Sequence, residues 1–228
     1  MKILTDSDRD IAEAEKILSA GGVVAFPTET VYGLGAISTS DKAVSKIFRV
    51  KNRPKFNPLI IHVENTEMAL KFCSFSEKAF LLAEKFWPGP LTIIAKKKTN
   101  IKISTLATAG LDTIAVRVPR DRIAQKLIRC VRTPIAAPSA NISGKLSCTT
   151  ADDIKEKLSE RIDGIILGAQ CELGLESTVI DCSSNACNLM RLGSIPLEEI
   201  QDFLNQKKIG DFNSEGIIKS PGQLLSHY

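Results

Sequence analysis

Lys51, Arg53 and Lys55 alternate with Asn52 and Pro54 in the stretch VKNRPKFNPLIIHV, residues 50–63, which ends in an apolar run carrying His62. Proline disfavours the helical region for the residue before it, so Pro54 predicts an extended Arg53 and Pro58 an extended Asn57. An extended chain sends alternate side chains to one side. If that state reaches back to Lys51, the three cations share one outward face, a stiff rack suited to a polyanion. The bland alternative is a solvated charged turn.

Other residues of the right types lie at strand ends. After VVAF comes the turn 28–35, in which Thr28, Glu29 and Thr30 crowd the carboxyl end of a strand, where open α/β sheets tend to bind ligands. Gly33-Leu34-Gly35 lacks the third glycine of a dinucleotide fingerprint, since Ser38 stands there, and no Walker sequence occurs. Ser139 and Asn141 can donate hydrogen bonds to phosphate oxygens, or build an Asx or Ser turn. Arg117 sits between Val116 and Val118 and is either an edge ion-pair partner or a ligand anchor. His62 is either a satisfied strand residue or a working one. With two histidines and no G-x-S-x-G turn, there is no Ser-His-Asp machinery.

The elements that must position these side chains read as alternating helices and strands. Helices are expected at 11–20, 41–50, 76–86, 121–130, 149–159 and 196–205, the last with Pro196 at its start. Strands are expected at 23–26, 59–63, 91–95, 113–118, 135–137, 164–167, 179–181 and 189–191. Trp87-Pro88-Gly89-Pro90 is a rigid break, 105–112 a flexible loop, and Lys96–Lys98 a solvated strand end or an RNA contact. The pattern predicts an α/β fold, one twisted, mixed open sheet with helices packed on it and a concave basic ligand-binding face.

A chain of 228 residues, 43% hydrophobic and 25% charged, fits one large globular domain. No apolar run approaches the ~20 residues needed to span a bilayer, and Met1 leads directly into charged residues, so a cytoplasmic protein is expected. The six cysteines form no CxxC pair, which argues against a zinc ribbon or a redox motif. A net charge of +4 is compatible with nucleotides or RNA as partners.

Six ordered stretches carry a resemblance: PTETVYGLG (27–35), KNRPKFNPLIIHV (51–63), FWPGPLTII (86–94), AVRVP (115–119), APSANISG (137–144) and GLESTVID (174–181). Over residues 10–200 the chain resembles the YrdC-like L-threonylcarbamoyladenylate synthases. The resemblance implies an ATP-dependent nucleotidyltransferase that makes L-threonylcarbamoyl-AMP and pyrophosphate from L-threonine, bicarbonate and ATP. Its product would serve a tRNA threonylcarbamoyl transferase complex that modifies adenosine beside the anticodon.

Carried onto this chain, the family pattern places threonine among Thr30, His62, Arg117, Ala137 and Ser177. It places ATP among Lys51, Arg53, Asn57, Ser139, Asn141, Ser147, Arg191 and Tyr228, with Lys51 and Arg53 as the catalytic cations on the phosphates. Mg²⁺ is expected to arrive with ATP, held mainly by phosphates and water rather than by a protein carboxylate cage. Arg53→Ala is expected to abolish turnover while barely altering the melting temperature. Residues 1–205 would be the catalytic domain and 206–228 a linker whose His227 and Tyr228 fold over the nucleotide as a lid. The competing class is an RNA-binding module using the basic face without ATP chemistry. Zinc-finger and acylphosphatase-like neighbours of carbamoyl-transferring maturation domains are absent from the sequence.

Overall fold

The computed structural model describes residues 1–184, 186–206 and 212–213. Its strands are β1 (Lys2–Leu4), β2 (Val24–Phe26), β3 (Gly33–Ile37), β4 (Ile60–His62), β5 (Cys73–Ser74) and β6 (Leu91–Lys97). They continue with β7 (Thr113–Arg117), β8 (Ile135–Ala136), β9 (Gly164–Ile166), β10 (Thr178–Asp181), β11 (Cys187–Arg191) and β12 (Phe212–Asn213). The helices are α1 (Asp8–Ser19), α2 (Asp41–Lys51), α3 (Thr66–Ala69), α4 (Glu77–Phe86), α5 (Arg122–Val131), α6 (Ala151–Leu158) and α7 (Leu197–Gln206).

One mixed sheet runs in the order β1-β9-β2-β3-β8-β4-β7-β6-β10-β11-β12, with β5 paired to β6 off this path. The strands read as short apolar runs because most are buried on both faces. At β2, Ala25 and the preceding Val23 face a core shared with α2 and α6, whereas Val24 and Phe26 face one shared with α1 and α5. A third core packs α4 and α7 on β6, β10 and β11. Ile60, Ile94, Ala115, Val179 and Met190 form a smaller patch contributed by strands alone. That helix-free stretch of sheet borders the site described below.

Helix starts follow the capping residues. The side chains of Ser7, Ser40 and Ser76 accept from backbone N–H groups three residues on, Asp121 caps α5 twice, and Thr150 with Asp153 forms a capping box.

Four expectations are corrected. The cationic stretch is not an extended rack, because Lys51 is the last residue of α2. Asn52 turns left-handed at φ 50°, its N–H bonding Arg49 O at 3.3 Å and that of Arg53 bonding Phe48 O at 2.9 Å. This Schellman closure is open to asparagine, whose tolerance of left-handed backbone the proline argument did not weigh. Lys51 and Arg53 consequently turn inward, while Lys55 stays exposed.

The turn expected over 28–35 becomes strand at Gly33, which pairs with Phe26. A Cβ on Gly35 would sit 2.7 Å from Phe26 Cε1, so this glycine serves close packing rather than a turn. The loop at 105–112 is a packed turn: Ala107 is buried, and its carbonyl accepts from Leu59 N at 2.8 Å. Phe212–Asn213 pairs in parallel with β11 at Cys187 and Asn188. Lys97 and Lys98 at the end of β6 donate to Leu111 O and Leu70 O, so neither head group is wholly solvated.

Candidate active site

A cleft opens where β2, β4, β7 and β8 end. Thr28, Thr30, Arg53, His62, Arg117, Ala137, Ser139, Glu176, Ser177 and Arg191 line it. Each basic group has been fixed in place before any ligand arrives.

Register brings the first pair together. Parallel β4 and β7 set His62 opposite Arg117. Arg117 Nη2 donates to Glu29 Oε1 at 2.7 Å and Nε to Gly89 O at 3.3 Å, with both members of the ion pair buried. The other oxygen of Glu29 accepts from the N–H groups of Arg120 and Asp121. Burial would raise the Glu29 pKa, but Arg117 and the hydrogen bonds outweigh it and hold the carboxyl below its ordinary range. Arg117 is therefore an ion-pair partner on a central strand rather than at a sheet edge, and it also lines the cleft.

His62 is the least satisfied group in the site. It is buried, its Nδ1 has no hydrogen-bond partner, and the ring packs edge-on to Phe26. Burial, with the Arg117 charge beside it, draws its pKa down to about 3. The imidazole is neutral at pH 7, with a nitrogen left over for a ligand.

Arg53 and Lys51 have separate placements. Arg53 lines the cleft, held by Nε to Asn57 O (3.1 Å) and by Nη2 to Asn57 Oδ1 (2.7 Å) and Pro58 O (2.8 Å). Three of its N–H donors are thus committed, and the Nη1 pair remains. Lys51 does not line the cleft. Its ammonium donates to Ser139 O, to Asn141 O at 2.6 Å and to Asn141 Oδ1 at 3.2 Å. Burial and the neighbouring Arg53 draw its pKa down to about 7.

The Asn141 amide in turn donates to Ile142 O and Lys145 O, and its oxygen accepts from Ser139 Oγ. Lys51, Asn141 and Asn57 therefore organise loops, and of these loop residues Ser139 lines the cleft.

Arg191 reaches the cleft through an irregularity in pairing. Val179 pairs with Arg191 but Ile180 with Leu189, so Met190 is an extra residue in β11. Such a bulge places neighbouring side chains on one face. Met190 joins the helix-free patch with Ile60, and Arg191 joins Ile60 in the cleft wall. Its guanidinium pairs with Glu176 and donates to Ser177 O at 2.8 Å and Ser177 Oγ at 3.0 Å.

Beyond this pair lies a second, larger cavity, lined by Leu146, Ser147, Gly174, Leu175, Glu176, Arg191, Leu192 and Gly193. Glu176 and Arg191 are common to both cavities. Ser147 belongs to the second, its hydroxyl donating to Glu176 Oε1 at 2.9 Å.

The structure thus gathers Thr30, Arg53, His62, Arg117, Ala137, Ser139, Ser177 and Arg191 round one cleft. Lys51, Asn57 and Asn141 stand behind its walls, and Tyr228 and His227 lie outside the described residues. Glu176, the counter-ion of Arg191, was missed as a site residue, and Glu29, noted in its turn, was not assigned as the counter-ion of Arg117. The signal was present, since each stands inside a quoted motif beside a selected residue.

The profile of the Sua5, YciO and YrdC proteins, described as "Telomere recombination", matches residues 16–193. The chain belongs to this family. It is 45% identical over 221 residues to the threonylcarbamoyl-AMP synthase of Pyrococcus abyssi, covering 94% of this chain and 64% of that protein. It is 43% identical over 230 residues to the threonylcarbamoyl-AMP synthase of Bacillus subtilis, covering 99% of this chain and 66% of that protein. The solved structure of P. abyssi Sua5 complexed with L-threonine superposes with a TM-score of 0.92 at 41% identity, over 100% of this chain and 69% of that one. The chain therefore spans a little under two thirds of the length of these curated relatives. Among the described residues, no helix is long and apolar enough to cross a membrane.

Proposed function

We propose that the chain is an L-threonylcarbamoyladenylate synthase, joining L-threonine, bicarbonate and ATP into threonylcarbamoyl-AMP with release of pyrophosphate. The observation that carries this reading is the cleft itself. Three buried guanidinium groups and an unsatisfied neutral imidazole meet there, and a larger, partly apolar cavity continues past the Arg191–Glu176 pair. The names of the relatives and the threonine complex of P. abyssi Sua5 support it.

In this reading threonine occupies the cleft. Donors of Arg117 not taken by Glu29 and Gly89 meet its carboxylate, while His62 Nδ1, Thr30 and Ser177 orient its hydroxyl and amine against Ala137. The amine captures bicarbonate as a carbamate, losing water. A carbamate oxygen then attacks the α-phosphate, forming the acyl-phosphate bond as the bond to pyrophosphate breaks. The nucleoside lies in the second cavity with Ser147, which puts Arg191, on the boundary, at the α-phosphate. Arg53 and the Ser139 hydroxyl hold the leaving phosphates.

Lys51 works from behind, fixing the Ser139–Asn141 loop through its carbonyls, and Asn57 fixes Arg53 in the same way. No covalent intermediate on the protein is needed, so catalysis rests on placing mutually repelling anions and neutralising charge as pyrophosphate departs. One cation about 4 Å from a phosphate charge contributes roughly 4 kcal/mol at an effective dielectric of 20. Among the described residues, no cluster of three or more His, Cys, Asp or Glu could hold a metal ion. A magnesium ion would therefore enter on the nucleotide, with phosphates and water as its main ligands.

Residues 1–205 form the catalytic unit of this reading, and the product passes to a tRNA threonylcarbamoyl transferase complex. The test is pyrophosphate release with threonine and bicarbonate omitted in turn. Release that needs both is expected. Release without threonine would overturn the reading, and salt-sensitive RNA retention with no ATP consumption would do so in favour of the RNA-binding alternative.

A further inference from the structure

Cys182 and Cys187 are buried, at 2% and 1% exposure, with their sulfurs 3.3 Å apart. They close the β10–β11 hairpin. Asp181 pairs with Asn188, so continuing the antiparallel register sets Cys182 directly opposite Cys187. Directly opposite residues in such a ladder have Cα atoms about 4.5–5.5 Å apart, inside the ~4.4–6.8 Å window that a disulfide accepts. The pair therefore needs no backbone rearrangement to bond. Cys73 and Cys130 differ in setting: the first donates to Ala69 O at 3.3 Å, and the second is exposed.

We infer that Cys182 and Cys187 form a redox-active pair that closes to an intramolecular disulfide by exchange with a small-molecule disulfide such as oxidised glutathione. The two thiols are not equivalent. The hydrogen bond between the two sulfurs lowers the Cys187 pKa and raises that of Cys182, with Lys78 assisting the lowering. Cys187 is thus the attacking thiolate. It also lies nearer the sheet edge, since the short strand β12 flanks it at Phe212, and the adjoining turn carries the exposed Ser184.

The chemistry balances without a metal. The Cys187 thiolate attacks one glutathione sulfur, breaking the S–S bond and releasing one glutathione thiolate. Cys182 then gives its proton to solvent and attacks the Cys187 sulfur, expelling the second glutathione thiolate. Two electrons pass from the protein thiols to the small disulfide. The product ties β10 to β11 four residues before Arg191, in the strand that walls the cleft.

The test treats the intact chain with oxidised glutathione, then denatures, alkylates and digests it with trypsin. The sequence has no Lys or Arg between Arg161 and Arg191, so Cys171, Cys182 and Cys187 fall in one peptide. Closure predicts that this peptide loses two titratable thiols and becomes lighter by two hydrogens, with Cys171 alkylated. Reduction should restore both thiols. Cys182→Ser should stop at the mixed disulfide on Cys187. Retention of the Cys182 and Cys187 thiols, a persistent mixed disulfide on either of them in the unsubstituted chain, or a bond through Cys171 would each overturn the inference. These readouts come from the unsubstituted chain, so they stand even if a variant fails to fold, and none depends on the proposed enzymatic activity.

Discussion

Replacing Arg117 by methionine should reverse the sign with which one buried carboxylate couples folding to pH. In the native chain Arg117 holds the Glu29 pKa below the carboxylate value of 4.5, although burial by itself would raise it. A depressed carboxylate contributes stability that is present above the unfolded pKa and lost as pH falls through the folded one. Without Arg117, burial dominates and the Glu29 pKa rises. The folded chain then binds a proton that the unfolded chain has released, and stability falls as pH rises from about 5 to 8.

The size follows from burial, because the Arg117 and Glu29 side chains are 4% and 3% exposed. Removing one partner of such a pair costs about 3–5 kcal/mol. For a domain of this length that lowers the melting temperature by roughly 6–20 °C. Urea denaturation at intervals between pH 4 and 8 would be run on the native chain, Arg117→Met, Glu29→Gln and the double variant. The difference between Arg117→Met and native should grow with pH, and the double variant should be destabilised by much less than the two singles combined. A pH-independent difference, or additive singles, would refute the argument that the pair is one electrostatic unit.

His62→Leu removes a buried nitrogen with no partner, so it should leave stability unchanged or improved while raising the threonine KM; a clear loss of melting temperature would contradict this. Because the native His62 stays neutral down to about pH 3 while the unfolded one protonates near 6.5, stability should fall as pH drops through that window, and His62→Leu should flatten the fall in urea melts. Arg53→Ala should reduce pyrophosphate release at least ~100-fold, and it should also lower the melting temperature, since three hydrogen bonds to Asn57 and Pro58, each worth about 1 kcal/mol or more, disappear. That second outcome revises the expectation of an unchanged melting temperature, which assumed an outward-facing side chain. Gly193→Ala would bring a Cβ to 2.4 Å from Glu176 O, Ser177 C and Thr178 N, so thermal scans should report one of the larger single-site losses and threonine titration a weakened cleft wall.

Local rules written in the chain were enough for most elements. Ser7, Ser40, Ser76, Asp121 and Thr150 announce helix starts, and runs such as Leu91–Ala95 announce buried strands, because capping and burial act within a few residues. The ordered motifs likewise named most of the residues that line the cleft. What the chain alone left open was direction and partnership. Glu29 meets Arg117 across 88 positions, and Lys51 meets Asn141 across 90. Pairing of charges depends on distance in space, which only the packed sheet creates. The extra residue at Met190 turns Arg191 into the cleft, and the left-handed Asn52 turns Lys51 and Arg53 inward. Both are backbone adjustments whose free-energy differences between alternatives are small locally, so tertiary packing, not propensity, decided them.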